Sequence, residues 1–296
     1  MRVAIIGLGG VGGYLASYLR KGDAELVCFA RSKHLEVIQR DGLTLIENDE
    51  DGKAKRVTNK LDARDMSQAD GYFDLVIFCT KSYDLLESYK QISPFIDSSS
   101  VLLSFSNGVN NGDILRKNTQ SIVLDACIYI LSNIEQAGVI HKHGKVFSAV
   151  FNGEENATKN LKEYFESVNL RVKIPQNIQE ALWKKYIFIS AFGVLTTYYD
   201  ESIVQVVESH FIELKILLKE ISSVAKAKGI DIEGDIQKSI DIARTLPYDS
   251  STSMHLDSKK GKKMELESLC GYIVKEADRH LIDTPFMTEV YKHLVM

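Results

Sequence analysis

The feature that most restricts the fold is a cluster of five glycines within residues 7–13, directly after the apolar run Val3-Ala4-Ile5-Ile6. The segment Gly7-Leu8-Gly9-Gly10-Val11-Gly12 matches the spacing G-x-G-x-x-G, and a helical pattern follows at residues 14–19. In such a loop the first glycine permits a tight turn, the second lets the backbone approach a pyrophosphate, and the third lets helix and strand pack closely. The segment therefore predicts a dinucleotide-binding loop rather than a purely structural turn.

Apolar runs without polar alternation are typical of strands that are covered on both faces of a parallel sheet. Such runs occur at residues 3–6, 25–29, 73–78, 101–105 and 121–124. A hairpin is predicted at residues 138–151 and a further strand at 171–174. From Ile178 onward the apolar spacing is helical. We predict an α/β protein with an N-terminal Rossmann-type parallel sheet, helices on both of its faces, and an all-α C-terminal domain.

The length of 296 residues suits two domains, which we place at residues 1–176 and 177–296. A net charge of −4 provides no basic field for a polyanion, so nucleic acid is not an expected partner. No apolar run is long enough to cross a bilayer as a helix, so we expect a soluble protein without a membrane partner. The four cysteines contain no C-x-x-C pair and lie beside apolar residues, which favours reduced thiols in a cytoplasmic protein. His141 and His143 are expected at the surface, and no metal is expected.

The residues after the second predicted strand bear on the choice of cofactor. Proteins that bind NAD usually carry an acidic residue there, to bind the ribose, whereas this chain has Ala30-Arg31-Ser32-Lys33. The guanidinium of Arg31 is suited to a 2′-phosphate, and Lys33 adds a second positive charge. The sequence thus favours NADPH, and the alternative is that Arg31 is a solvated loop residue.

Further motifs follow the glycine loop in a set order. They are Ala30-Arg31-Ser32-Lys33-His34-Leu35 with Gly42-Leu43, Cys79-Thr80-Lys81-Ser82-Tyr83-Asp84, Ser106-Asn107-Gly108-Val109, Trp183-Lys184-Lys185, and Thr252-Ser253-Met254 with Asp257 and Glu265. Over nearly the whole chain, this set resembles the ketopantoate reductase (2-dehydropantoate 2-reductase) family.

The resemblance implies that NADPH reduces the 2-keto group of a small, branched keto acid. It assigns Lys81 and Asn107 to cofactor binding, with Asn107 also touching the substrate. Lys185 is implied as the catalytic lysine and Ser253 as a substrate contact. Glu265 is implied as a carboxylate of both the cofactor site and the active site. A homodimer is a candidate assembly.

Helical periodicity separates the two adjacent lysines. On a helix beginning near Ile178, Lys185 shares its face with apolar residues, so its amine must snorkel or face a cleft. Lys184 instead follows Glu180 by four residues, which is the spacing of a surface ion pair. A lysine placed as Lys185 is can polarise a ketone oxygen and donate a proton to it.

The chain departs from the family pattern at three positions. Ile189 and Gly193 stand one and two turns after Lys185, where the family commonly has asparagine, and Ser106 replaces a glutamine. Fewer amides leave fewer partners for the hydroxyl and carboxylate of ketopantoate. Reduction of another small 2-keto acid therefore stays open, as does a non-catalytic NADP(H) sensor, although a sensor would not require Lys185.

Overall fold

The computed structural model describes residues 1–48 and 52–295. Contacts within the chain define two compact units, Met1–Ser106 with Asn110–Ile178, and Asn107–Val109 with Gln179–Met296. The domain limits expected from the sequence remain predictions, and Met296 lies outside the described residues.

Among the described residues, the first unit contains the strands and five α-helices. Its strands are β1 Arg2–Ile6, β2 Glu25–Phe29, β3 Leu43–Asn48, β4 Ala54–Asn59, β5 Asp62–Arg64, β6 Leu75–Phe78, β7 Val101–Ser104, β8 Ile122–Gln136, β9 Val139–Asn152 and β10 Val172–Lys173. Its helices are α1 Gly10–Leu19, α2 Ser32–Asp41, α3 Leu85–Ile92, α4 Asn111–Arg116 and α5 Glu155–Ser167.

The strands form one sheet in the order β4-β3-β9-β8-β7-β6-β1-β2-β5, and β10 pairs with β9. Strands β5, β2, β1, β6, β7 and β8 pair in parallel with one another, as the continuous apolar runs predict for all of them except β5. The β8–β9 and β3–β4 pairs are antiparallel, so the whole sheet is mixed. The predicted α/β class and its parallel core are confirmed.

Helices cover both faces of this sheet. One core joins the sheet to α1, α2 and α5 and includes Leu15, Ile38 and Phe165. The other joins it to α3 and α4 and includes Leu85 and Leu115. Residues 3–6 of β1 alternate between the two cores, which is why all four of them are apolar.

The hairpin predicted at residues 138–151 is wrong. These residues form the single strand β9, whose antiparallel partner is the long continuation of β8. The segment His143-Gly144-Lys145-Val146 suggests a turn, but it is a bulge at which the register with β8 shifts between Ile130 and Leu131. Gly144 has a φ of +60°, which permits this irregularity.

The second unit is helical in its described part, as predicted. Its helical elements are α6 Ile178–Tyr199, α7 Ile203–Ser209, α8 Phe211–Ala227, α9 Gly234–Arg244, α10 Ser253–Lys259, a π-helical turn at Glu267–Gly271, α11 Tyr272–His280 and α12 Pro285–Val295. The first residue of α6, Ile178, is assigned to the first unit. Buried apolar side chains of α6 and α8 supply much of its core. In residues 1–48 and 52–295, no helix has both the length and the apolar character needed to span a bilayer.

Candidate functional site

The predicted glycine loop joins β1 to α1, and close packing accounts for several of its glycines. Gly7 has a φ of +94°, a conformation that side chains rarely adopt. A Cβ on Gly12 would lie 1.9 Å from the Gly7 carbonyl oxygen, and one on Gly10 would lie 2.3 Å from the Ser132 carbonyl oxygen in β8. The turn and the approach of α1 to the sheet therefore require residues without a side chain.

The open side of the loop has the chemistry of an anion site. Among the described residues, a Cβ on Gly9 would meet no atom within 4 Å beyond its two neighbours in the chain. Gly9 precedes α1, whose first turn has no side-chain cap and no acidic residue, so its N–H groups and positive dipole can face an anion. At the end of β6, the buried Oγ1 of Thr80 has no hydrogen-bond partner within the described part of the chain. These features fit the pyrophosphate of a dinucleotide.

Arg31 lies at the end of β2, where the sequence places it, and precedes α2. Its Nη2 is 2.9 Å from Oδ2 of Asp84, and the Arg31 side chain is 79% exposed. An exposed ion pair of this kind contributes only about 0–1 kcal/mol, so an incoming phosphate can displace it at low cost. Lys33 is also exposed, and Lys81 directly precedes the short turn that ends at Asp84.

His34 connects the glycine loop to β9, a role that the sequence does not reveal. The Gly138 N–H donates to Nδ1 at 3.0 Å, so the imidazole carries its proton on Nε2, which donates to the Leu8 carbonyl at 2.8 Å. Burial lowers the pKa of His34, which favours this neutral form. The histidine thereby fixes the main chain at the start of the glycine loop.

Three of the predicted site residues meet in the second unit. The Lys185 Nζ donates to Oδ1 of Asn107 at 3.4 Å, and the Asn107 Nδ2 donates to Oε2 of Glu265 at 3.2 Å. Lys185 is half-buried, whereas Glu265 is only 3% exposed. A single amide thus orients both an ammonium and a carboxylate.

Other predicted residues have different surroundings. Lys184 is exposed and forms the expected ion pair with Glu180, which confirms that the two adjacent lysines differ. Ser253 is an exposed residue at the start of α10, which Thr252 caps by accepting a hydrogen bond from the main chain. Ser253 lies outside the hydrogen bonds that join Lys185, Asn107 and Glu265 in the described residues.

Two of the three positions that depart from the family pattern lie beyond Lys185 on α6. Ile189 is half-buried, and the rings of Phe188 and Phe192 are 4.7 Å apart on the same stretch of helix. A Cβ on Gly193 would contact only Leu269, at 3.4 Å. These two positions therefore present apolar groups and no side-chain amide.

The histidine pair of β9 is bound to neighbouring polar side chains. The His141 Nδ1 is 3.0 Å from a Glu135 oxygen, and the His143 Nε2 is 2.6 Å from Oδ1 of Asn133. Across residues 1–48 and 52–295, no three metal-ligating side chains are grouped so that they could hold an ion.

The glycine loop at a parallel sheet and the lysine, amide and carboxylate of the helical unit fit an oxidoreductase of 2-keto acids. The profile of the family "Ketopantoate reductase PanE/ApbA" matches residues 3–152, and the profile of its C-terminal domain matches residues 177–296. The chain therefore belongs to the ketopantoate reductase family.

Individual relatives cover the whole length. The uncharacterized oxidoreductase YkpB of Bacillus subtilis (strain 168) is 27% identical over 304 residues, which is 100% of this chain and 98% of the relative. The crystal structure of a PanE/ApbA family ketopantoate reductase from Ralstonia eutropha JMP134 has a TM-score of 0.88 and 29% identity, covering 99% and 96% of the two chains. A D-mandelate dehydrogenase solved with NADH and anilino(oxo)acetate shares the fold, with a TM-score of 0.89, 21% identity and coverage of 99% and 96%.

Proposed function

We propose that this protein is an NADPH-dependent 2-keto acid reductase, and that its substrate is ketopantoate, reduced to pantoate on the route to pantothenate. The observation that carries the proposal is the hydrogen-bonded group of Lys185, Asn107 and Glu265. Binding of a nucleotide alone would not need an ammonium held in this way. A homodimer stays a candidate assembly, and the cytoplasmic location stays a prediction.

The glycine loop and its neighbours are proposed to bind the cofactor. Main-chain N–H groups at residues 9–12 and the hydroxyl of Thr80 would hold the pyrophosphate, and Arg31 would hold the 2′-phosphate. Lys81 is proposed as a further cofactor contact. When bound, the nicotinamide supplies a hydride to the 2-keto carbon.

Lys185 is proposed to act on the ketone oxygen. Its ammonium polarises the carbonyl and donates a proton to the oxygen as negative charge develops there. Asn107 fixes the direction of the amine through Oδ1 and holds Glu265 through Nδ2. The Glu265 carboxylate accepts hydrogen bonds from hydroxyl groups of cofactor or substrate, and Ser253 is proposed as a substrate contact.

The test is NADPH oxidation by the purified protein with ketopantoate and a panel of other 2-keto acids. Lys185→Ala is expected to lower kcat by about 10²- to 10⁴-fold, which is the usual contribution of a general acid. Lys184→Ala is the matched control, because this lysine is exposed and paired with Glu180, and its kcat should stay within about 2-fold of wild type.

Each outcome of this test has a distinct meaning. If no 2-keto acid is reduced, the protein is not such a reductase, and NADPH binding without turnover would favour the sensor. If Lys185→Ala retains the wild-type kcat, the assignment of the proton donor is wrong.

A second candidate is a reductase of small 2-keto acids that lack the hydroxyl of ketopantoate. The apolar surface at Ile189 and Gly193 favours it, because a site without amides gives a substrate hydroxyl fewer partners. A higher kcat/KM for such an acid than for ketopantoate would support this candidate over ketopantoate.

A further inference from the structure

The helix that follows Glu265 begins with a π-helical turn at Glu267–Gly271. Within it the Tyr272 N–H donates to the Glu267 carbonyl, five residues earlier. Such turns are rare in α-helices and occur frequently at functional sites. Here the turn lies two residues after the carboxylate that Asn107 contacts.

Two hydroxyl groups of α6 bind this turn. The Tyr186 Oη donates to the carbonyls of Ser268 at 2.8 Å and Leu269 at 3.2 Å. The Ser190 Oγ donates to the Leu269 carbonyl at 2.5 Å. Tyr186 and Ser190 are four residues apart, on one face of the helix, and both are fully buried. Burial also raises the pKa of Tyr186 well above its ordinary value, so the phenol keeps the proton that it donates.

The same two residues of the turn hold the main chain of Glu265. The Leu269 N–H donates to the Glu265 carbonyl at 3.1 Å, and the Ser268 Oγ donates to it at 3.0 Å. The Tyr186 and Ser190 hydroxyls therefore bind the main-chain carbonyls of the same two residues that donate hydrogen bonds to the Glu265 carbonyl. Since Lys185 directly precedes Tyr186, α6 carries both the amine of the site and the hydroxyls that bind the turn after Glu265.

We propose that Tyr186 and Ser190 are positioning residues. Through their hydrogen bonds to the π-helical turn, they hold Glu265 at the place where it contacts Asn107, beside Lys185. Their influence on turnover rests on the proposed reductase function. Each hydroxyl donates to a main-chain carbonyl of the turn, so we assign it no contact with substrate or cofactor. Their effect on chemistry passes through the geometry of the carboxylate.

The test removes the two hydroxyls and keeps the surrounding side chains, in the double variant Tyr186→Phe/Ser190→Ala. The matched control is Tyr164→Phe/Ser239→Ala, which also deletes one tyrosine and one serine hydroxyl bound to main-chain carbonyls. Both proteins are compared by steady-state kinetics and by hydrogen exchange of peptides that cover residues 265–273. The single variants Tyr186→Phe and Ser190→Ala provide the same measurements if the double variant does not fold.

In the double variant, amides of the turn should exchange at least about 10-fold faster than in the control. Its kcat should fall about 10- to 100-fold, since a misplacement near 1 Å costs up to about 100-fold, while KM changes less. Unchanged exchange would overturn the proposal. Faster exchange with the kcat of the control would overturn the positioning role.

A failure of the reductase function would be recognised separately, because wild type would then reduce none of the acids. In that case a crystal structure of the double variant tests whether Tyr186 and Ser190 position Glu265. The proposal predicts that the contact between Asn107 Nδ2 and Glu265 Oε2 is lost, and it is overturned if the distance remains near 3.2 Å.

Discussion

Two neighbouring glycines should respond in opposite ways to the same substitution, alanine. Gly9→Ala places a methyl group in open space beside the N-terminus of α1, and Gly10→Ala directs it at the Ser132 carbonyl of β8. Neither glycine has a positive φ, so alanine meets no backbone strain at either position. The pair therefore separates a role in ligand binding from a role in packing.

The expected magnitudes follow from these surroundings. In Gly10→Ala the Cβ would lie 2.3 Å from a main-chain oxygen, more than 1 Å inside the contact distance of about 3.5 Å. Overpacking of this kind costs about 1–3 kcal/mol of unfolding free energy. In Gly9→Ala a small loss at the helix N-cap opposes the lower entropy of the unfolded chain, so the net change should be within about 0.5 kcal/mol of zero.

The effect of Gly9→Ala should appear in cofactor binding. The methyl group would occupy the space proposed for the pyrophosphate and remove at least one charge-assisted hydrogen bond. Such a bond contributes about 1.5–3 kcal/mol, so the Kd for NADPH should rise about 10- to 150-fold.

Urea denaturation monitored by circular dichroism measures the free energy, and titration calorimetry measures the Kd. If Gly9→Ala binds NADPH as tightly as wild type, the pyrophosphate does not occupy the open side of the loop. If Gly10→Ala is as stable as wild type, the approach of α1 to β8 does not restrict this position.

Three further predictions concern the cofactor, pH and substrate. Arg31→Ala should raise the Kd for NADPH at least about 10-fold and the Kd for NADH less than about 2-fold, as measured by calorimetry. An equal rise in both Kd values would exclude a role of Arg31 in 2′-phosphate binding. Asp84→Asn should tighten NADPH binding, because it removes the carboxylate that competes for Arg31. The pKa of His34 is lowered in the native state, so its stabilising contribution is present above the unfolded-state value of about 6.5 and is lost as the pH falls below it. Urea denaturation at pH 7.5 and at pH 5.5 should show a smaller loss of unfolding free energy for His34→Gln than for wild type. Identical losses in the two proteins would contradict the stabilising role of neutral His34. Ile189→Asn should raise kcat/KM for ketopantoate about 10-fold relative to a 2-keto acid without the hydroxyl, and an unchanged ratio in NADPH-oxidation assays would show that this position does not contact the hydroxyl.

Local patterns were enough to predict much of this protein. The glycine loop could be recognised because its spacing, preceding strand and following helix are contiguous in the chain. Lys184 and Lys185 could be distinguished because the helical period alone decides which side chain lies beside Glu180. The parallel core could be predicted because strands buried on both faces are apolar throughout.

The predictions failed or were incomplete where pairing is distant in sequence. Residues 143–146 contain a glycine and polar residues typical of a turn, but β8 pairs with the chain on both sides of them, and the irregularity is accommodated as a bulge. Strand β4 is mostly exposed and polar, so it lacks the apolar pattern that would indicate it. Its pairing with β3 depends on main-chain hydrogen bonds, which no side-chain pattern reports.

The sequence by itself determined that a glycine-rich turn joins the first strand and helix of an α/β unit, that a helical unit follows, and that Lys185 differs from its neighbour. Only the tertiary structure decided that Asn107 bridges Lys185 and Glu265, across 158 positions of sequence between the amide and the carboxylate. It also decided that Tyr186 and Ser190 bind the turn after Glu265. The physical reason is that periodicity fixes the face on which a side chain lies, whereas the partner of that face depends on how distant segments pack.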